Sequence, residues 1–90
     1  PEAIGRLPAL ETLILDGNSD LDLADVLTKL AACRSLRRLS LCDCRLRELP
    51  PQIGLLSQLE HLNLRVNYLI ALPDAIRNLP NLREFVVEQN

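Results

Sequence analysis

Aromatic residues are scarce in the 90-residue sequence: tryptophan is absent, and phenylalanine and tyrosine occur once each, as Phe85 and Tyr68. A core built from large rings is therefore excluded. Hydrophobic residues nevertheless make up 48% of the chain, and nearly all of them are aliphatic. Ninety residues suffice for one small domain, and leucine must do most of its packing.

Neither sign of charge dominates the sequence. Ten lysines and arginines against twelve acidic residues give a formal net charge of -2. Such a chain has no long-range field to gather phosphates or anionic lipid, and its three glycines form no phosphate-binding loop. No apolar run approaches membrane-spanning length. We therefore expect no nucleic-acid partner, no membrane insertion and no cofactor.

Cysteine is present in an odd number, as Cys33, Cys42 and Cys44, which does not suit a disulfide framework. The sequence also lacks an Asn-x-Ser/Thr glycosylation acceptor, so we expect a reducing, cytoplasmic location. The run Cys42-Asp43-Cys44 resembles a fragment of a metal site. A strand followed by a turn would send Cys42 outward and Cys44 into the turn, with Cys33 on the other side, so we expect no metal.

Leucines recur at fixed offsets along the whole chain. Shifting the pattern of residues 59–82 back by 23 reproduces it at 36–59, and nine of the ten pattern positions keep their residue type. The tenth position exchanges Asn67 for Cys44. The first complete unit is longer, at 26 residues. Repeat units start near Leu10, Leu36, Leu59 and Leu82.

The pattern is L-x-x-L-x-L-x-x-N/C-x-L followed by L-P-x-x-I-x-x-L, and it resembles the leucine-rich repeat family over essentially the whole chain. Its tails, LPPQIGLL at 49–56 and LPDAIRNL at 72–79, are similar to the subclass found in Ras-pathway scaffolds, plant disease-resistance receptors and some bacterial effectors. The resemblance implies an α/β fold: a right-handed solenoid with a parallel β-sheet on its concave face and short helices or turns on its convex face.

Elementary geometry gives the same division into two faces. Leu62 and Leu64 are two apart, so in a strand they point to one side while His61, Asn63 and Arg65 point to the other. Where the chain leaves the strand, its backbone groups still need partners. A buried asparagine has two donors and an acceptor for them, whereas the Cys44 thiol is a poorer substitute.

The return path of each unit differs in length. In the two 23-residue units, Leu-Pro favours a helix start or a tight turn, because proline fixes φ. The longer unit contains DLADVLTKLAAC, which predicts a true helix with Asp22 as its cap and Asp25 paired with Lys29. Its core-facing leucines are Leu23, Leu27 and Leu30.

The outward strand positions form columns from unit to unit, spaced by about 4.8 Å, and they are the candidate protein-binding site. Their mixture of apolar, basic and acidic side chains suits a protein partner better than a small-molecule substrate. Arg38 and Arg65 are the best candidates for contact anchors. The preceding position alternates in charge as Glu11, Arg37, Glu60 and Arg83, which predicts a ladder of ion pairs. The three columns are Thr12, Arg38, His61 and Glu84; Ile14, Ser40, Asn63 and Val86; and Asp16, Cys42, Arg65 and Glu88.

His61 is a weak candidate for catalysis. Its strand neighbours Asn63 and Arg65 supply neither a carboxylate to orient the ring nor a nucleophile, and Cys42 in an adjacent unit is the nearest sulfur. The serines have no general base in a recognisable motif. We therefore expect no catalytic residues and no enzyme activity in this chain.

Three functional hypotheses remain from different classes. The leading one is a protein–protein interaction module that binds its partner on the concave surface, in a scaffold or recognition role. The alternatives are the substrate-recruiting arm of a larger enzyme, such as a ubiquitin-ligase effector or a kinase, and a structural subunit of a large assembly. Residues 1–90 read as one repeat domain without a polar cap at either end, so we expect an interior piece of a longer array.

Overall fold

The computed structural model describes residues 10–88 and residue 90. Four short strands carry the sheet: β1 (Thr12–Ile14), β2 (Arg38–Ser40), β3 (His61–Asn63) and β4 (Glu84–Val86). Between them lie helix α1 (Leu23–Leu30) and two 3₁₀ helices, Pro51–Leu55 and Asp74–Asn78. In this part of the chain no helix is both long and apolar enough to cross a membrane.

The strands form one parallel sheet in the order β1-β2-β3-β4, as the sequence predicts. Each strand pairs with the next in the register that the 26- and 23-residue offsets require. Thr12 lies opposite Arg38, Arg38 opposite His61, and His61 opposite Glu84. Parallel strands need a crossover between them, and here each crossover contains one of the three helices.

Between the sheet and the helices lies an aliphatic core. Leu62 and Leu64 are buried, whereas Arg65 is exposed and His61 and Asn63 are half-buried, so the side chains divide between two faces as predicted. Leu27 and Leu30 of α1 fill the same core from the helical side. Phe85, the single phenylalanine, occupies the leucine position of β4 and packs against the core's edge. Leucine therefore forms most of the core, as the scarcity of aromatic residues predicts.

Helix α1 has the predicted start and pairing, but it ends at Leu30, before the end of the predicted segment at Cys33. The Asp22 carboxylate caps its first turn by accepting a hydrogen bond from the backbone N–H of Asp25 at 3.3 Å. Lys29 Nζ lies 3.1 Å from Asp25 Oδ2, and the leucines of the predicted apolar face are buried. An eight-residue helix is too short to be stable by itself, so its packing on the core holds it in place.

Both Leu-Pro segments lead into 3₁₀ helices. Pro50 and Pro73 occupy the N-cap positions with extended backbone, φ -64° and -72°. Ile53 is fully buried, while its counterpart Ile76 in the next unit is only half-buried. The two 3₁₀ helices approach closely at Gly54: a Cβ there would lie 3.1 Å from the Ala75 Cβ. Glycine therefore sets their separation.

The asparagine after β3 satisfies the backbone as the sequence predicts. Asn67 Oδ1 accepts hydrogen bonds from the N–H groups of Cys44 at 2.9 Å and Leu46 at 3.1 Å. Its Nδ2 donates to the carbonyls of Leu41 at 2.9 Å and Leu64 at 3.0 Å. One buried carboxamide thus connects two successive units.

Cys44 occupies the same repeat position one unit earlier and satisfies fewer backbone groups than Asn67 does. Its Sγ donates to the carbonyl of Leu15 at 3.2 Å and contacts that of Cys42 at 3.4 Å. Burial is the main reason that the pKa of the Cys44 thiol is raised, and this outweighs the opposing backbone hydrogen bonds from Asn18 and Gly17. The group is therefore a neutral thiol at pH 7.

Candidate functional site

We call the side of the sheet that faces away from the helices the open face. All twelve predicted site residues belong to strand positions on this face or directly beyond it. Strand pairing aligns the first two columns, from Thr12 to Glu84 and from Ile14 to Val86. Backbone hydrogen bonds continue past the strands and align the third column: Gly17 with Cys42, Asp43 with Arg65, and Val66 with Glu88.

The first column contains a contact that was not predicted from the sequence. His61 Nδ1 lies 3.1 Å from Oε1 of Glu84 on the neighbouring strand. The expectation that His61 lacks a carboxylate to orient its ring was therefore wrong. That expectation considered only residues along the same strand, whereas the partner is one unit away in the same column. The signal was present in the alignment of the repeats, because His61 and Glu84 share a repeat position.

The second column, together with the first, lines a depression on the open face. Ser40 and Asn63 on the middle strands are half-buried, while Ile14 and Val86 flank them on the outer strands. Ile14 is 64% exposed. Within the second column, the depression is therefore polar at the two middle strands and aliphatic at the two outer strands.

Asp16 in the third column forms hydrogen bonds to residues of the neighbouring unit. Its Oδ1 accepts hydrogen bonds from Ser40 Oγ at 2.6 Å and from the backbone N–H of Cys42 at 2.9 Å. Asn63 makes a similar local contact, since its Oδ1 accepts from the N–H of Arg65 at 3.2 Å. These polar side chains hold the ends of β2 and β3 in fixed positions.

Arg38 and Arg65 are both exposed on this face. Within residues 10–88 and 90, neither guanidinium has a carboxylate partner at ion-pair distance. Glu84, the acid in the same column as Arg38, contacts the intervening His61. The two arginines therefore keep their full hydrogen-bonding capacity for another molecule.

The predicted charge ladder forms only in part. Arg37 Nη1 lies 2.7 Å from Glu60 Oε2. In the described part of the chain, Glu11 and Arg83 make no such side-chain pair, although their backbones join the same ladder of hydrogen bonds. The repeat places residues of opposite charge on neighbouring strands, but long exposed side chains do not all form ion pairs.

Among residues 10–88 and 90, no three His, Cys, Asp or Glu side chains lie close enough together to hold a metal ion. The strand and turn separate the cysteines as expected: Cys42 is half-buried on the open-face side, with its Sγ 3.5 Å from Ser40 Oγ. Cys44 is buried in the turn, and Cys33 is buried beyond α1.

Comparison with protein families agrees with this geometry. The family described as Leucine rich repeat matches residues 34–90, which include β2, β3 and β4. Because the match covers more than half of the sequence, the chain belongs to the leucine-rich repeat family. Comparison with curated proteins gives no match. Leucine-rich repeats generally mediate protein–protein interaction, and repeat architectures present extended surfaces for it.

Proposed function

We propose that this chain is a protein-recognition module whose partner binds the open face of the sheet. The observation that carries the proposal is that two exposed arginines, Arg38 and Arg65, lie on a face with apolar flanks and have no carboxylate partner among residues 10–88 and 90. Arginine and exposed aliphatic side chains are typical of the energetic centre of a protein interface.

The rigidity of the face supports this function. The strands are joined by parallel pairing, and Asp16 and Asn63 fix the residues just beyond them. A surface that is already ordered loses little conformational entropy when a partner binds. We propose that the units continue the right-handed sense of parallel crossover connections, so that the chain is a right-handed solenoid with the open face concave.

We further propose the LPxxIxxL subclass, a scaffold or recognition role in signalling, and a cytoplasmic location. Support for the subclass comes from the matching 3₁₀ helices that follow Leu49-Pro50 and Leu72-Pro73. A reducing compartment suits Cys42 and Cys44, which form no disulfide. The near balance of charge favours a protein partner over nucleic acid, and the shallow open depression favours it over a small-molecule substrate.

We also propose that the chain is not itself an enzyme and needs no cofactor. His61 has a carboxylate partner in Glu84, but a nucleophilic mechanism also requires a hydroxyl or thiol within hydrogen-bond reach of the ring. Two such groups on the open face are engaged elsewhere, because Ser40 Oγ donates to Asp16 Oδ1 and lies 3.5 Å from Cys42 Sγ.

A charge reversal on the open face tests the recognition function. A partner fragment would be selected from a displayed library of protein fragments, and its Kd measured for the native chain and for Arg38→Glu with Arg65→Glu. We expect the double variant to bind at least about tenfold more weakly, because both anchors become repulsive to the partner's acceptor groups.

The matched control is Arg34→Glu with Arg77→Glu, which makes the same charge change at exposed positions outside the open face. Its affinity should stay close to native. Equal loss in the two double variants, or loss only in the control, would contradict binding at the open face.

A further inference from the structure

The loops that follow β2 and β3 begin with the same turn but differ in side-chain chemistry, and their backbones diverge at Arg45, which has a φ of 56° while the equivalent Tyr68 does not have a positive φ. Both pass through a residue with positive φ, Asp43 at 54° and Val66 at 58°. Beyond these, the loop after β2 carries Arg45 and Arg47, whereas the loop after β3 carries Tyr68 and Ile70 at the positions 23 residues later. Three charged residues of one unit are thus replaced by three apolar residues in the next.

These apolar side chains lie on the surface. Val66 is 44% exposed, Tyr68 is 61% exposed and Ile70 is 94% exposed. Their charged counterparts in the preceding unit are also exposed, even though another unit stacks beside them. The three positions are therefore surface positions of this repeat and do not belong to its core.

Leu72 is a contrasting case. It is exposed as well, but its counterpart Leu49 is fully buried under the neighbouring unit. Its position belongs to the core of the repeat, so its exposure does not count toward a surface site.

Val66 adds a conformational argument. Asp and Asn adopt the left-handed region with little difficulty, but a β-branched residue there is a marked outlier. Asp43 shows that an acidic residue suits this turn. A valine that is 44% exposed at the same point gains only partial burial in return for its strain, and retained strain of this kind points to a role at the surface.

Tyr68 and Ile70 line one groove together with Arg47 of the preceding unit. In the described part of the chain no carboxylate pairs with Arg47. The neighbouring Glu48 does not line this groove; it lines a second one, to which Arg47 and Ile70 also contribute. The first groove therefore combines a tyrosine, an arginine and an exposed aliphatic side chain, and tyrosine and arginine are enriched at energetic hot spots of interfaces.

We propose that the groove formed by Arg47, Tyr68 and Ile70, here called the loop-edge groove, is a second docking site, separate from the open face. Its occupant is a protein segment that carries an apolar side chain and a carboxylate. The apolar side chain packs on Tyr68 and Ile70, and the carboxylate pairs with the Arg47 guanidinium. Charge complementarity selects this occupant, because the Arg47 guanidinium has no carboxylate partner among residues 10–88 and 90.

A peptide selection tests the proposal. Random short peptides displayed on phage would be selected against the protein, and Kd values measured for the enriched sequences. We expect the enriched peptides to contain an aliphatic or aromatic residue near an Asp or Glu. They should bind Tyr68→Arg with Ile70→Arg at least about tenfold more weakly. This variant should keep its fold, since Arg45 and Arg47 already occupy the equivalent positions.

Two controls distinguish binding at the loop-edge groove from binding at the open face. Arg38→Glu with Arg65→Glu should leave peptide affinity unchanged, because those residues lie on the open face. Arg47→Glu should weaken binding, and replacing the peptide's acidic residue with lysine should restore it on that variant.

Three results would overturn the proposal. The first is a library that yields no acidic apolar binder, and the second is a set of peptides that bind the Tyr68 and Ile70 variant as tightly as the native protein. The third is dimerisation, detected by sedimentation, that the same variant abolishes, which would assign the groove to a second copy of this chain.

Discussion

At the residue scale, the carboxamide of Asn67 makes three hydrogen bonds to the preceding unit and one, to Leu64, within its own unit, with lengths of 2.9 to 3.1 Å. Each of them satisfies a backbone group where the chain turns away from the sheet. Because the side chain is only 4% exposed, water has little access to replace it. A buried backbone group that loses its partner costs more than the bond itself contributes.

Replacing Asn67 with alanine should lower the free energy of unfolding by about 2–4 kcal/mol, because several buried backbone groups lose their partner together. Chemical denaturation measures the change. Asn63→Ala serves as the control, since Asn63 is half-buried and its carboxamide accepts one hydrogen bond from Arg65. A smaller loss at residue 67 than at residue 63 would contradict the role assigned to the turn asparagine.

The Cys44 thiol should make stability depend on pH in the alkaline range. Burial raises the pKa of Cys44 above its ordinary value of 9.0, so the folded state holds the proton more tightly than the unfolded chain does. Its contribution is complete below the unfolded pKa and is lost as pH rises through the folded pKa. The free energy of unfolding should therefore fall faster above pH 9.0 for the native chain than for Cys44→Ala. Parallel curves would contradict this.

At the element scale, the sequence predicts the strands and α1 because their signals are local. Side-chain alternation assigns Leu62 and Leu64 inward, and Asp22 with the Asp25–Lys29 pair marks the helix. The His61–Glu84 contact was not predicted, because it depends on side-chain directions across two strands. The same is true of the Ser40–Asp16 hydrogen bond, and the exposure of Tyr68 and Ile70 depends on how neighbouring units stack.

The contact between the two 3₁₀ helices gives an element-scale prediction. Gly54→Val would place a branched side chain where even a Cβ meets the Ala75 Cβ at 3.1 Å and the Ala75 carbonyl at 3.3 Å. Overpacking of this kind should cost about 1–3 kcal/mol of unfolding free energy. Adding Ala75→Gly should recover part of that cost, since it removes the opposing methyl group. Additive losses in denaturation of the double variant would contradict a direct contact.

At the scale of the whole molecule, each strand divides its side chains between a hidden aliphatic layer and the open face. Leu62→Asp would bury an unpaired charge in that layer and should abolish folding. Ile14→Asp, on the exposed face, should retain native circular dichroism. A folded Leu62→Asp variant would show that the side chain is not interior.

The same stacking gives the molecule two distinct surfaces. The open face collects one side chain per unit in each column, so its composition follows from the repeat alignment. The loop-edge groove arises from the difference between two units, in which Arg45 and Arg47 give way to Tyr68 and Ile70. A repeat alignment predicts the positions that all units share. Residues that differ from the alignment, such as Tyr68 and Ile70, show where one unit has a surface that the others lack.

The most direct test of the recognition function is the NMR footprint of a bound partner. Amide shifts of the isotope-labelled chain would be followed during titration with a fragment selected for binding. We expect the largest changes in β2 and β3 and just beyond them, around Arg38, His61 and Arg65. Changes confined to α1 and the two 3₁₀ helices would contradict recognition through the open face.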